Sequence, residues 1–342
     1  PCVVSLLVGA LYNIVDQIFI GQGVGYLGNA ATNVAFPLTT ICLAITLLIS
    51  IGSASRFSLS LGEGDADRAA QAVGNALAMM VLFGILYTLC IEIFLVPLLN
   101  AFGATQDVLP YAIEYTRITA VGMPLLIITN GMSNLARADG SPNYSMMCML
   151  IGAIINTILD PLFIFKFHMG VRGAAFATVI GQFFSFLMAL YYVKKFTHIR
   201  LKKQHFILKP QVCLNIASLG MSNCLNQVAI TFVQIVMNNS MTYYGAKTIY
   251  GSEIPLAASG IVMKTNGILL SVIIGLSQGS QPIIGFNYGA KKYDRVRGTY
   301  RLAISCNLVV SAGTFLRRHI GSGCIPVISV ITTSDHCTVW NR

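Results

Sequence analysis

The chain has 342 residues, of which 55% are hydrophobic and only 10% are charged, and its mean hydropathy is +0.71. Soluble domains carry about 25% charged residues, so this composition excludes a soluble globular domain and indicates an integral membrane protein. The formal net charge is +10. In a membrane protein, an excess of positive residues is explained by topology before it is assigned to a nucleic-acid partner.

Apolar segments of membrane-spanning length recur along most of the chain. About 20 helical residues are needed to cross roughly 30 Å of hydrocarbon, and these segments lack the alternating pattern of a β-strand. The predicted fold class is therefore an all-α integral membrane protein with about nine transmembrane helices. The predicted spans are residues 3–20, 34–55, 73–97, 118–136, 144–165, 171–193, 213–242, 256–284 and 299–316.

Lysine and arginine are distributed unevenly over the loops between these spans. Because positive residues accumulate in cytoplasmic loops, we place the N-terminus and the basic segment 194–211 in the cytoplasm. We interpret that segment as a linker between two apolar spans, so no nucleic-acid partner is predicted. The cytoplasmic set is Arg56, Arg68, Arg137, Lys194, Lys195, Arg200, Lys202, Lys203, Lys209, Lys291, Lys292, Arg295, Arg297 and Arg301. The opposite side holds only Arg117, Lys166, Arg172 and Lys247.

The nine cysteines and five histidines form no metal-binding pattern. Most cysteines lie inside or at the ends of apolar spans, where cysteine behaves as a small hydrophobic residue. No paired spacing typical of a metal site occurs. We therefore predict no cofactor.

The sequence contains an internal repeat whose copies are 227 residues apart. Aligning Gly62 with Gly289 also matches Asp67 with Asp294. Six spans separate the two copies, and since six is even, both copies start on the same side of the membrane as parallel repeats. The predicted division is a six-helix bundle at 1–193, a linker at 194–211, a partial second bundle of about three helices at 212–316 and an atypical tail at 317–342.

Several motifs together resemble those of one transporter family. They are LYNIVDQIFIG in the first span, VAFPL opening the second, LGEGDADRA after it, ARADGSPN after the fourth, NTILDPLFIF in the fifth and GAAFATVIGQ in the sixth. From residue 1 to about 310 the chain resembles the multidrug and toxic compound extrusion (MATE) transporters, in particular the bacterial branch with an acidic site in the N-terminal bundle. The resemblance implies two six-helix bundles in the plasma membrane and export of organic cations in antiport with protons or sodium.

Two carboxylates lie in predicted spans without a basic partner at the same depth. Asp16 follows Tyr12 and Asn13 by about one helical turn, and Asp160 follows Asn156 by four residues, so each set shares one helix face. An isolated carboxylate in hydrocarbon costs several kcal/mol, so each should face the bundle interior and bind a proton or a cation. The alternative is that both residues only hydrogen-bond to amides and hold helices together.

The family resemblance assigns roles to these positions. It implies that Asp16, Asn156, Asp160 and Thr178 form the site for the coupling ion, which is a proton or Na⁺. Sodium would bind at Asp16, Asn156 and Asp160, and no other metal is implied. The expected partners are small organic cations and membrane lipid, and the expected oligomeric state is a monomer.

Further polar side chains in the spans are candidates for a substrate cavity. For Asn130 and Asn134, which lie about one turn apart, hydrogen bonds between helices are an equally good explanation. Lys264 would repel a cationic substrate, so we expect it to extend to the interface or to pair with an amide. The full candidate set is Tyr12, Asn13, Asn130, Asn134, Gln182, Gln227, Gln234 and Lys264.

Two other functions stay open on the residues alone. A lipid-linked oligosaccharide flippase of the same superfamily would need a cationic cavity for pyrophosphate; the acidic first bundle argues against it and Lys264 argues for it. An intramembrane enzyme would need a nucleophile with a base, or metal ligands, within the membrane. No histidine is placed to supply them, so we predict that the protein is not an enzyme.

The end of the chain departs from the family pattern. Residues 213–342 are too few for six further spans, and the segment from Arg317 onward, which includes Trp340, has no run of membrane length. We expect a truncated or frameshifted product, with sequence also missing before Pro1. Such a chain should not transport by itself, because alternating access requires two bundles that move against each other.

The charge asymmetry predicts the result of a labelling experiment. In intact cells, a membrane-impermeant maleimide should not label a Lys202→Cys variant above the parent level, because the linker is cytoplasmic. A Lys247→Cys variant on the predicted outer side should be labelled, and both should react after the cells are permeabilised. External labelling of Lys202→Cys to the level of Lys247→Cys would overturn this topology.

Overall fold

The computed structural model describes residues 1–248, 251 and 253–320, and these contain nine long helices and no β-strand. This confirms the all-α prediction. The helices are α1 (Cys2–Val24), α2 (Tyr26–Gly62), α3 (Ala66–Ala101), α4 (Leu109–Ala138), α5 (Pro142–Pro161), α6 (Gly170–Tyr192), α7 (Pro210–Gly245), α8 (Glu253–Gly289) and α9 (Tyr293–Ile320).

Helices α1 to α8 each contain a stretch long and apolar enough to cross a membrane. The ninth predicted span, 299–316, is helical, but within the described residues α9 does not reach the same hydropathy. Most helices are longer than their predicted spans, because they continue into polar residues beyond the apolar segments. For example, α3 begins at Ala66, since the Asp65 side chain accepts a hydrogen bond of 2.9 Å from the backbone N–H of Arg68 and caps the helix.

Helix α4 lies at the centre of the first six helices, where it packs against α2, α3, α5 and α6. Small buried residues such as Ala120, Gly131 and Ala136 allow this close packing. On the outside of the bundle, large apolar side chains are exposed, including Ile93 at 71% and Val121 at 63%. Soluble proteins rarely expose so much apolar surface, and this surface is suited to contact with lipid.

The two glycines that the repeat aligns lie against each other. A Cβ atom on Gly62 of α2 would overlap the carbonyl oxygen of Phe286, and a Cβ atom on Gly289 of α8 would overlap that of Leu59. Leu59 and Phe286 are separated by the same offset as the two glycines. A two-fold axis between α2 and α8 produces this kind of reciprocal contact, as expected for parallel repeats.

Helix α5 ends at a proline and continues as a wider turn. Pro161 has no N–H group and cannot donate to the carbonyl four residues earlier. A π-helical turn follows at Leu162–Lys166, in which the N–H of Phe167 donates to the carbonyl of Leu162 over 3.1 Å. Such π-helical turns are rare and occur frequently at functional sites. Here the turn directly follows Asp160.

Buried side chains at the ends of α3 and α4 attach the linker to the first six helices. Asp139, at the end of α4, accepts a hydrogen bond from the backbone N–H of Thr197 over 2.9 Å. Asn75 of α3 donates to the carbonyl of His205 over 3.1 Å and accepts from the N–H of Lys209 over 2.7 Å. The start of α7 is thereby fixed beside α3.

A close approach between α2 and α7 predicts a difference in stability between two glycine variants. A Cβ atom on Gly220 of α7 would overlap the carbonyl oxygen of Leu48, whereas nothing lies within 4 Å of a Cβ atom on Gly298 of α9. We expect Gly220→Ala to cost about 1–3 kcal/mol through overpacking and to lower Tm. Gly298→Ala should leave Tm unchanged or raise it slightly, since alanine favours helix.

Thermal denaturation of the detergent-purified variants, followed by the fraction that remains monodisperse, measures this difference. Equal Tm values for Gly220→Ala and the parent chain would contradict the close packing of α2 on α7.

Candidate functional site

Asp160 is fully buried within the first six helices. Its exposed fraction is 0%, and it lies on α5 one turn after Asn156, which is 3% exposed. On α1, Asp16 is 8% exposed. The structure therefore places both predicted carboxylates inside the bundle, as their cost in hydrocarbon requires.

The two carboxyl groups lie together. The side chains of Asp16 and Asp160 lie close enough to interact directly, by charge and by hydrogen bonding. Two carboxylate oxygens form a hydrogen bond only when one of the groups carries a proton, because ionised carboxylates are acceptors without a donor. Two carboxyl groups in this arrangement are able to hold one proton between them.

Asn156 connects this pair to α6. Its Nδ2 donates to Asp160 Oδ1 over 3.3 Å and lies 3.3 Å from Thr178 Oγ1. In the opposite amide orientation, Nδ2 donates to Asp160 Oδ2 over 3.2 Å and the amide oxygen accepts from the backbone N–H of Thr178 over 3.2 Å. Asn156 donates to Asp160 in either orientation, so α1, α5 and α6 meet at one polar site.

Two tyrosines lie beside the acidic pair. Tyr12 of α1 and Tyr115 of α4 both interact electrostatically with Asp16 and Asp160. Tyr12 is one of the predicted residues, whereas sequence reasoning missed Tyr115. The sequence pattern of α4 could have identified Tyr115. Counting back from the predicted Asn130 in steps of three or four residues, the same helix face carries Leu126, Met123, Thr119 and Tyr115.

Two adjacent cavities open onto this site, each with a volume of about 90 Å³. The first, here the Asp16 cavity, is also lined by Asn13, Gln17, Thr32 and Tyr115. The second, the Asn156 cavity, is also lined by Asn130, Thr129 and Ser185. Among the described residues, the lining of neither cavity includes Lys, Arg or His. Four residues line both cavities: Tyr12, Leu126, Thr178 and Gln182.

The structure places Asn134 away from both cavities. Its Nδ2 donates to Ser50 Oγ over 2.9 Å, and its Oδ1 accepts from Arg137 Nη2 over 2.5 Å. The alternative interpretation, a structural hydrogen bond between helices, therefore fits Asn134 better than a cavity role. Arg137 also differs from its prediction as a loop cation, since it is only 8% exposed at the end of α4.

The remaining candidates lie on the second part of the chain. Gln227 and Gln234 are half-buried on α7 and line neither the Asp16 cavity nor the Asn156 cavity. Lys264 belongs to α8, but its side chain lies outside the described residues. Their predicted role in a substrate cavity stays a prediction.

The chain is similar to proteins of one transporter family along most of its length. The family model MatE matches residues 1–162 and 220–337. The chain belongs to the MatE family. Members of this family are multi-pass transporters of the plasma membrane and are not enzymes.

Individual relatives are similar over a large share of their length. Multidrug export protein MepA of Staphylococcus haemolyticus is 26% identical over 317 residues, which cover 91% of this chain and 68% of MepA. A protein named FAD transporter, from Shewanella oneidensis, is 25% identical over 99% of this chain and 74% of that protein. A solved structure of the MATE multidrug transporter DinF-BH, in complex with a ligand, is 30% identical, with a TM-score of 0.85 over 96% of this chain and 75% of that one.

The two asparagines of α4 should differ in their effect on stability. Asn134→Ala removes the acceptor of a buried guanidinium and should cost about 1–3 kcal/mol, seen as a lower Tm. Asn130 donates only to the Leu126 carbonyl in its own helix, over 3.1 Å, so Asn130→Ala should change Tm little. If both variants lowered Tm by a similar amount, the hydrogen bonds of Asn134 would not have the structural role that we assign to them.

Proposed function

We propose that this chain carries the proton-coupling site of an exporter of organic cations, in which inward proton movement drives outward movement of the substrate. The observation that carries this proposal is the burial of Asp16 and Asp160 together, with side chains that interact directly. It supports a site that holds one proton and that exchanges it for another positive charge.

The coupling ion is the first element of the proposal. The oxygens of Asp16, Asp160, Asn156 and Thr178 are hard ligands that also suit Na⁺. However, a proton needs only the two carboxyl groups, which interact directly with each other, whereas a metal ion requires several further oxygen ligands. We therefore propose the proton, and sodium becomes a competing outcome of the test below.

The charge of the cavities supports a cationic substrate. In the part of the chain that the structure describes, the Asp16 cavity is lined by a carboxyl group and by no basic side chain. Its aromatic residues Tyr12, Phe36 and Tyr115 provide ring faces that attract organic cations. A pyrophosphate-bearing lipid would instead require positive charge here.

Exchange follows from the charges of the site. With its proton, the Asp16–Asp160 pair carries one negative charge; without it, two like charges face each other in a buried position. A cation that enters the Asp16 cavity relieves this repulsion and so takes the place of the proton. When the cavity opens to the side with more protons, protonation expels the cation, and the two binding events exclude each other.

Two alternatives remain outcomes of the experiment. A flippase would bind anionic pyrophosphate. The resemblance to the FAD transporter of Shewanella oneidensis suggests a second alternative, in which the substrate is an anionic dinucleotide. Neither anion should bind to the chain if the acidic cavity is the substrate site.

The pH dependence of dye binding tests the proposal. Ethidium, a fluorescent organic cation, should bind to the purified chain in nanodiscs more tightly as the pH rises, because deprotonation leaves the site more negative. For exchange of one proton, the affinity gains up to about tenfold per pH unit over the range in which the site titrates. Fluorescence anisotropy at several pH values, with constant sodium, measures this dependence.

Variants of three residues locate the proton. Asp160→Asn keeps the size and hydrogen bonding of the side chain but removes its charge, so ethidium binding should weaken and lose its pH dependence. Asp16→Asn should act alike, and the double variant should add little, since both residues form one unit. Asn156→Ala should reduce the pH dependence only in part. Glu92→Gln, which changes an exposed carboxyl on α3, is the matched control.

Each alternative has a distinct result. If Asp160→Asn kept the pH dependence of the parent chain, the carboxyl would be structural. If added sodium weakened ethidium binding at constant pH and Asp160→Asn abolished this effect, sodium would be the coupling ion. Binding of inorganic pyrophosphate or FAD in place of ethidium would favour an anionic substrate.

A further inference from the structure

We propose that a cavity between α2, α3 and α7 binds the phosphate headgroup of an anionic phospholipid at the cytoplasmic surface of the membrane. The cavity has a volume of about 530 Å³ and lies outside the proposed proton site. Its size is within the range of about 300–1,000 Å³ that is typical of ligand cavities. The lining residues are Arg56, Arg68, Gln71, Lys209, Pro210, Gln211, Val212 and Asn215.

The charge of this cavity favours an anion. Among the described residues, neither Arg56 nor Lys209 forms an ion pair. Arg68 is partly compensated, since its guanidinium lies 3.1 Å from Asp65 and 3.9 Å from Glu63. Two positive charges therefore face the cavity without a carboxylate partner.

Polar groups complete the cavity wall. The first turn of α7 begins at Pro210, and the positive end of its helix dipole adds to the basic side chains. Gln211 and Asn215, four residues apart on α7, and Gln71 of α3 supply amide groups to the lining. The hydrogen bond from the Lys209 N–H to Asn75 fixes this end of α7 beside α3.

The apolar surroundings identify the source of the phosphate as a lipid. Ile207, Leu208 and Leu214 lie next to the lining residues in sequence and are 66%, 43% and 69% exposed. An acyl chain would cover such residues, whereas a soluble phosphate would leave them in water. Basic pockets between transmembrane helices on the cytoplasmic side are suited to anionic headgroups.

A lipid in this position would connect the two parts of the chain. Arg56 and Arg68 belong to the first part, and Lys209 precedes the first helix of the second. One phosphate that contacts all three cations would hold α7 against α2 and α3. We therefore expect the bound lipid to raise thermal stability.

The test compares lipids that differ in headgroup charge. For the purified chain in detergent, added phosphatidylglycerol should raise Tm at lower concentrations than phosphatidylcholine, which has no net charge. In an Arg56→Gln/Lys209→Gln double variant, the apparent affinity for phosphatidylglycerol should fall about thirtyfold, since each basic residue contributes roughly 1 kcal/mol. The Tm of this variant in phosphatidylcholine should match that of the parent chain.

A control variant and two soluble anions complete the design. Lys292→Gln/Arg295→Gln removes the same charge from the predicted cytoplasmic segment at the start of α9 and should keep the parent affinity. Inorganic pyrophosphate and glycerol 3-phosphate, which lack acyl chains, should not reproduce the rise in Tm. If both double variants lost the same affinity for phosphatidylglycerol, the effect would come from general surface charge, and the proposed site would be wrong. A full effect of pyrophosphate, lost in Arg56→Gln/Lys209→Gln, would identify a soluble anion and overturn the assignment to lipid.

Discussion

The cost of burying carboxyl groups inside a membrane is the constraint on which this structure depends. Asp160 has no exposed surface, and water is not available in hydrocarbon to solvate it. Its partners come from two other helices, with Asp16 on α1 and Thr178 on α6, the latter through Asn156. The helices α1, α5 and α6 must therefore meet at one depth. Residues of α1, α4 and α6 line both polar cavities, while α2 completes the Asp16 cavity and α5 completes the Asn156 cavity.

The packing that permits this meeting is provided by residues without bulky side chains. A Cβ atom on Gly181 of α6 would overlap the carbonyl oxygen of Gly152, and one on Gly152 of α5 would overlap Ser185. This close approach brings Asn156 within reach of Thr178. The polar site and the small-residue contact are thus two consequences of one helix crossing, and a change to either should disturb the other.

Composition, apolar segments and charge asymmetry were sufficient to predict an all-α membrane protein, and helix spacing predicted that Asn156 and Asp160 share a face. The contact between Asp16 and Asp160 did not follow from spacing, because the two residues are far apart in the chain; only the family resemblance grouped them. Tyr115, the hydrogen bond between Asn134 and Arg137 and the attachment of the linker to Asn75 depend on tertiary packing. Spacing along one helix shows which residues share a face, but it does not specify which face of another helix they meet.

In this account, one negative charge remains on the Asp16–Asp160 pair while it holds a proton, and the aromatic cavity beside it accepts a cation when the proton leaves. The most direct test is the number of protons released when ethidium binds to the purified chain in weakly buffered solution. At a pH where the site is still protonated, the account predicts that binding of one dye molecule releases up to about one proton. The Asp160→Asn variant should release none. Dye binding by the parent chain without proton release at any pH would contradict it.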